Sequence, residues 1–217
     1  MKKLSIYFIL IIQIFSGVAK SYSSDPKEFV AELLKDSVNK LSDKSVTNEE
    51  KIKFIEKIAT ENVDIKGLSL YTLGEVRKSA DKEDLRKYQT AFEKYFLKSL
   101  TSRLTDYSSS KFEVLGEDKK SANYTIVSSK VSTGDGGPDI KIDWRIYTKN
   151  PEKPLIRDLI VEGLSLARTQ KEEFKSVIQN NNNDINALFK TLENFINYLI
   201  KNSSSVLNNA FISPSLF

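Results

Sequence analysis

The chain contains no histidine and no cysteine. The first absence removes Ser-His-Asp triads, imidazole acid–base catalysis and His-ligated zinc. The second removes thiolate nucleophiles. It also leaves packing alone, without any disulfide, to hold the fold in an oxidising compartment. No P-loop pattern occurs, and no G-x-G-x-x-G follows a strand, so the common phosphate cradles are missing too. An excess of one charge sign is also lacking. Lys and Arg number 33 against 29 Asp and Glu, and two of the cations, Lys2 and Lys3, stand at the very start. The remainder is close to neutral, with charges alternating in sign as on ordinary solvated faces, so no nucleic-acid partner is expected.

The carboxylates are the catalytic groups that remain. Asp158 and Glu162, in Arg157-Asp158-Leu159-Ile160-Val161-Glu162-Gly163, are the obvious pair. On a strand, four residues separate them by about 13 Å, whereas glycosidase carboxylates stand about 5 to 10 Å apart. The expectation is a protein that is not an enzyme and uses neither cofactor nor metal.

The beginning of the chain reads as an export signal. Lys2 and Lys3 precede an apolar run from Leu4 to Phe15, broken only by Ser5 and Gln13, and small residues Ser16, Gly17, Ala19 and Ser21 come next. The run falls short of the roughly 20 residues that span a bilayer. Residues 1–21 are expected to be a cleaved signal peptide, with cleavage after Ala19 or Ser21. No cysteine at the junction offers a site for lipid attachment. The mature chain is expected to form one domain over 22–201 and a loose tail over 202–217.

Helical spacing dominates the first half. Asp25-Pro26 is a start signal, with Phe29, Leu33, Leu34, Val38 and Leu41 behind it. Thr47-Asn48-Glu49-Glu50 fits a capping box ahead of Ile52, Ile55, Ile58 and Ala59. Asp64 is placed to cap a short helix through Leu68, Tyr71 and Val76. Gly67 and Gly74 lie seven apart in it, marking either a face for close backbone approach or simply an irregular helix. Asp81 opens a long helix with the stripe Leu85, Tyr88, Phe92, Tyr95, Phe96, Leu100, Leu104 and Tyr107. After Ser108-Ser109-Ser110 the period drops to two. Strands are expected at Lys111–Leu115, Asn123–Ser132, Asp139–Thr148 and Leu155–Leu164, separated by turns at Thr133–Pro138 and Asn150–Pro154. The third alternates cleanly, with Ile140, Ile142, Trp144 and Ile146 on one face. Helices from about Ser165 to Gln179 and from Asp184 onward close the chain. Helices, a four-stranded antiparallel meander, then two helices make an α+β architecture.

The stretch from Asp158 to Phe174, centred on Glu162-Gly163-Leu164-Ser165-Leu166, resembles the signature segment of the MlaC (toluene-tolerance auxiliary) family. Asp143-Trp144-Arg145 is similar to that family's sheet strand, and Tyr71-Thr72-Leu73-Gly74 and Arg86–Phe92 to its helical motifs. Leu155-Ile156 stands where an aromatic is common, and Lys171 where arginine is. The resemblance implies a periplasmic phospholipid carrier. Its partners would be an inner-membrane ABC transporter with a lipid-binding ring and an outer-membrane lipoprotein–porin complex, and its task the maintenance of outer-membrane lipid asymmetry. The acyl chains would lie between sheet and helices, with the headgroup at the mouth.

Each buried methylene contributes about 0.8 kcal/mol, so a sixteen-carbon chain is worth about 12 kcal/mol gross. An apolar hole therefore suffices for affinity. The residues expected to line it are Ile142, Trp144, Ile146, Leu159 and Val161 of the sheet, Val127 beside them, and Tyr71, Leu73, Phe92 and Phe96 of the helices. Periodicity alone does not separate such a lining from an ordinary packed core. A periplasmic adaptor with a filled interior is the alternative. Gly163 is expected to permit the strand-to-helix bend and Ser165 to cap the next helix.

Overall fold

The computed structural model describes residues 21–105, 111–132 and 137–201. Residues 1–20 of the expected signal segment, the tail from 202, Tyr107, the Ser108–Ser110 break and the turn residues 133–136 lie outside them.

Helices α1 (Pro26–Ser42), α2 (Asn48–Asn62), α3 (Ile65–Thr72) and α4 (Lys82–Leu104) come first, with a 3-10 turn at Gly74–Lys78 between the last two. Strands β1 (Lys111–Ser121), β2 (Tyr124–Ser132), β3 (Ile140–Tyr147), β4 (Leu155–Val161) and β5 (Leu164–Ser165) come next, then α5 (Leu166–Gln179) and α6 (Ile185–Lys201). Each helix starts where a short polar side chain can accept a free N–H, a contact worth about 1 kcal/mol. Asp25 accepts from Glu28 at 2.9 Å, Asp64 from Gly67 at 2.9 Å, Asp81 from Asp84 at 2.8 Å, Ser165 from Arg168 at 3.1 Å and Asp184 from Asn186 at 2.9 Å. At α2 both halves of the capping box are made, Glu50 N–H to Thr47 Oγ1 at 3.3 Å and Thr47 N–H to Glu50 Oε2 at 2.8 Å.

The irregular reading of the third helix is the one the chain adopts. It stops at Thr72, and Gly74, at φ 63°, turns the backbone into the 3-10 segment. Gly67 is required by the cap, because a Cβ there would collide with the carboxylate of Asp64.

The sheet is antiparallel in the order β1-β2-β3-β4-β5. It differs from the expected meander in two places. β1 continues past Leu115 to Ser121, and its charged second half has no apolar alternation to mark it. The expected fourth strand is broken at Glu162 and Gly163, which sit at φ 49° and 83°, so a two-residue β5 folds back on β4.

Two separate cores hold the fold. In the first, α1 lays Phe29, Val30, Leu33 and Leu34 across Val127, Trp144, Ile146 and Ile156 of the sheet. In the second, Leu73, Tyr88, Phe92 and Tyr95 pack against Phe174 and Ile178 of α5 and Leu188 and Leu192 of α6.

Candidate functional site

The opposite face of the sheet is polar, and a cavity of about 860 Å3 lies against it. The roof is α3, through Gly67, Leu68, Leu70 and Tyr71, with Ala167 from the first turn of α5. The floor crosses four strands. Tyr124, Ile126 and Ser128 come from β2, Lys141, Asp143 and Arg145 from β3, and Arg157 and Ile160 from β4. Asp118, Lys120 and Ser121 of β1 close one side.

A bulge fixes the roof to the floor. Arg145 pairs with Asp158 and Ile146 with Ile156, so Arg157 is the extra residue on β4. It and its neighbour each hold the start of one helix. The Arg157 guanidinium reaches Asp64 Oδ2 at 2.5 Å, while Oδ1 of the same carboxylate caps α3. It also donates to the Tyr124 hydroxyl at 2.6 Å and stacks 3.3 Å above the centre of the Tyr147 ring. Partial burial works against this charge, but the bonds it donates to Tyr124 and Asp64 outweigh it and hold the Arg157 pKa above its ordinary value. Asp158, buried, accepts from Ser165 Oγ at 2.6 Å and from the Ala167 N–H at 2.9 Å, which anchors α5. Arg145 stands 3.5 Å from Asp158. Sequence reasoning passed over the Asp64–Arg157 clamp. Its one trace is the broken alternation of β4, where Ile156, Leu159 and Ile160 are apolar without a period of two.

Of the ten residues expected to line a ligand space, Tyr71 stands on this wall; it is 37% exposed, with the Lys171 ammonium 5.5 Å from its ring centre. The others lie elsewhere. Val127, Trp144 and Ile146 are sealed under α1, Ile142 and Leu159 pack against the same cluster, and Val161 pairs with Ile142. The indole N–H of Trp144 donates to Ser129 Oγ at 2.9 Å. Leu73, Phe92 and Phe96 belong to the helical core. In this fold the Trp144 face and the aromatic stripe do not face one common space. Each apolar surface is covered by its own helices, α1 for the sheet and α5 and α6 for the stripe.

A second cavity, of about 510 Å3, lies between α1 and β1, beside Leu34, Val38, Asn39, Phe112 and Val114. Glu162 has left the strand. Its carboxylate accepts the Lys141 N–H across the turn, so it forms no carboxylate pair with buried Asp158. Among the described residues no cluster of three or more Asp and Glu is arranged to hold a metal ion.

The sequence profile described as MlaC protein matches residues 27–194. The chain belongs to the MlaC family. Among solved structures it is similar to the phospholipid-binding protein from Ralstonia solanacearum, determined in complex with a phospholipid. The TM-score is 0.66 at 16% identity, over 79% of this chain and 96% of that one. At that identity the likeness establishes the fold. A comparison with curated proteins finds no match. Within the stretch Asp158–Phe174, Asp158 anchors α5, Glu162 and Gly163 take the positive φ of the turn, and Ser165 caps the helix.

Proposed function

We propose that this chain is a non-enzymatic periplasmic carrier that takes up a phospholipid and passes it between an inner-membrane ABC transporter and an outer-membrane lipoprotein–porin complex, sustaining outer-membrane lipid asymmetry. The cavity between α3, α5 and the sheet supports the reading most directly. Its volume of about 860 Å3 falls inside the roughly 300–1,000 Å3 of small-ligand sites. At about 30 Å3 per water-sized group, a sixteen-carbon chain takes about 480 Å3. One acyl chain fits, and part of a second. Leu68, Leu70, Tyr71, Ile126 and Ile160 are the apolar contacts we assign to it. Membership of the MlaC family, and a fold shared with a protein solved with phospholipid bound, both favour this cargo. No helix among the described residues is long and apolar enough to cross a membrane, in keeping with a carrier that moves between two of them.

The test is solvent extraction of the purified chain, then mass spectrometry of the extract. Phospholipid near one molecule per chain is expected. Stable protein free of lipid, which takes up none from vesicles, would instead favour an adaptor with a filled interior.

A further inference from the structure

Four cations line the cavity, each with a carboxylate near it, and three have that carboxylate within 3.2 Å. Arg157 holds Asp64 and Tyr124, Lys141 lies 3.2 Å from Asp143, and Lys120 is paired with Asp118. Arg145 differs. Its one carboxylate neighbour is Asp158 at 3.5 Å, and that carboxylate already accepts from Ser165 on the same oxygen and from Ala167 on the other. Among the described residues the Arg145 guanidinium makes this single ion pair and no hydrogen bond. An arginine carries five N–H donors in a planar fork that matches two oxygens of a phosphate or carboxylate. Arg145 thus brings spare directional donors to the middle of the floor, between Ile126 on β2 and the bulge on β4. Its side chain is 37% exposed, so the charge keeps contact with water while the cavity is empty.

We propose that Arg145 is the anion anchor of this cavity: it binds the phosphodiester of the lipid, and the chain retains phosphate-bearing amphiphiles over neutral ones of equal tail. The proposal rests on the carrier reading above and names the chemistry selected at that site. The surroundings suit a phosphodiester. Leu68, Leu70 and Ile160 offer apolar contact to the glycerol end of the tails. Arg157 and Lys141 are neutralised by Asp64 and Asp143, which leaves Arg145 as the cation on the floor with donors to offer a phosphate. Phosphate also displaces little, because the long Arg145–Asp158 contact is not what holds Asp158 in place.

The experiment uses the purified chain and vesicles doped with one of two pyrene-labelled probes, phosphatidylglycerol or a diacylglycerol with the same tails. The native chain is expected to take up phosphatidylglycerol about tenfold better or more, the discrimination typical of a charge-assisted hydrogen-bonded contact. Arg145→Leu should bring the two probes within about twofold by lowering phosphatidylglycerol uptake while diacylglycerol uptake stays as it was. Arg145→Lys, which keeps the charge but not the fork, should fall between. Should the leucine variant melt too low to assay, Arg145→Gln reads the same contrast. Equal uptake of both probes by the native chain overturns the anchor and leaves the carrier standing. Equal loss of both probes in Arg145→Leu also overturns it, since the residue would then be holding the fold. No uptake of either probe by the native chain overturns both readings.

Discussion

Replacing Ile126 by tryptophan puts an indole on the cavity floor. Ile126 lies on β2 opposite Arg145, on the polar face of the sheet, with α3 above it. The substitution adds about six heavy atoms to a space of about 860 Å3, so the fold has room for it and melting is expected to change by less than about 1 kcal/mol. The lipid does not have that room. The ring displaces roughly five methylenes, and at about 0.8 kcal/mol each the gross loss is about 4 kcal/mol. A partly wet wall discounts that figure by about a third, leaving close to a hundredfold in Kd. The same insertion at Asn39→Trp fills the second cavity, between α1 and β1, and serves as the control. Uptake of pyrene-labelled phosphatidylglycerol from vesicles is the assay, with thermal melting alongside. Ile126→Trp is expected to lose uptake and Asn39→Trp to keep it. Native uptake by Ile126→Trp, or loss confined to Asn39→Trp, would move the lipid to the α1 side and refute the assignment.

Further outcomes concern the frame. Asp158→Ala strips the partner from Ser165, the Ala167 N–H and Arg145 at a buried site, and should cost about 3–5 kcal/mol, a fall in Tm of about 6–20 °C by calorimetry. Phe92→Ala should cost a similar 3–5 kcal/mol by denaturant titration, yet leave lipid uptake per folded molecule within about twofold, because Phe92 is closed into the α4–α5–α6 core. Glu173 has its carboxyl pKa raised by burial, an effect that the bond from Gln170 at 3.0 Å only partly offsets. The folded chain therefore holds that proton more tightly than the unfolded chain does. The associated stability is present below the unfolded value of about 4.3 and is lost as pH rises through the folded value. Glu173→Gln should accordingly melt above the native chain at neutral pH and with it at pH 3.5; a constant offset at all pH values would contradict the assignment.

Much of the frame was legible because its signals are local. Asp25, Thr47 with Glu50, Asp64, Asp81 and Ser165 each announce a helix start through chemistry confined to four residues, and each caps a helix. The clean alternation of β3 puts Trp144 and Ile146 on one buried face. The pattern does not carry the identity of the layer that covers that face. Ile142, Trp144 and Ile146 would look the same under an acyl chain as under α1, since both supply hydrocarbon. The cavity lies on the other side, where Ser128, Asp143 and Arg145 read as an ordinary solvated face. A hollow there arises from how far α3 and α5 stand off the sheet, and two long-range contacts set that distance, Asp64 to Arg157 and Ala167 to Asp158. The bulge that makes neighbouring residues point to both helices also spoils the period of β4, so the strand that organises the site is the one whose faces were hardest to assign.

That construction bears on release as well as capture. A closed tunnel of hydrocarbon would hold a sixteen-carbon chain by about 12 kcal/mol per tail, and a carrier that tight would surrender its cargo too slowly to be useful. On the proposed reading a tail would lie between an apolar roof and a floor in which Ser128, Asp143 and Lys141 interrupt Ile126 and Ile160. Each methylene over a polar group contributes less than its full share. The same floor keeps the empty state stable. The Arg157–Asp64 and Lys141–Asp143 pairs are made within the protein, so the departure of a lipid exposes no orphaned charge. Nor do the two helices that roof the cavity depend on cargo to stay in place, because Asp64 and Asp158 hold their first turns to the sheet. A cavity that costs little to empty and offers moderate apolar contact, with one arginine placed to meet a headgroup, is what the proposed carrier would need to bind at one membrane and let go at another.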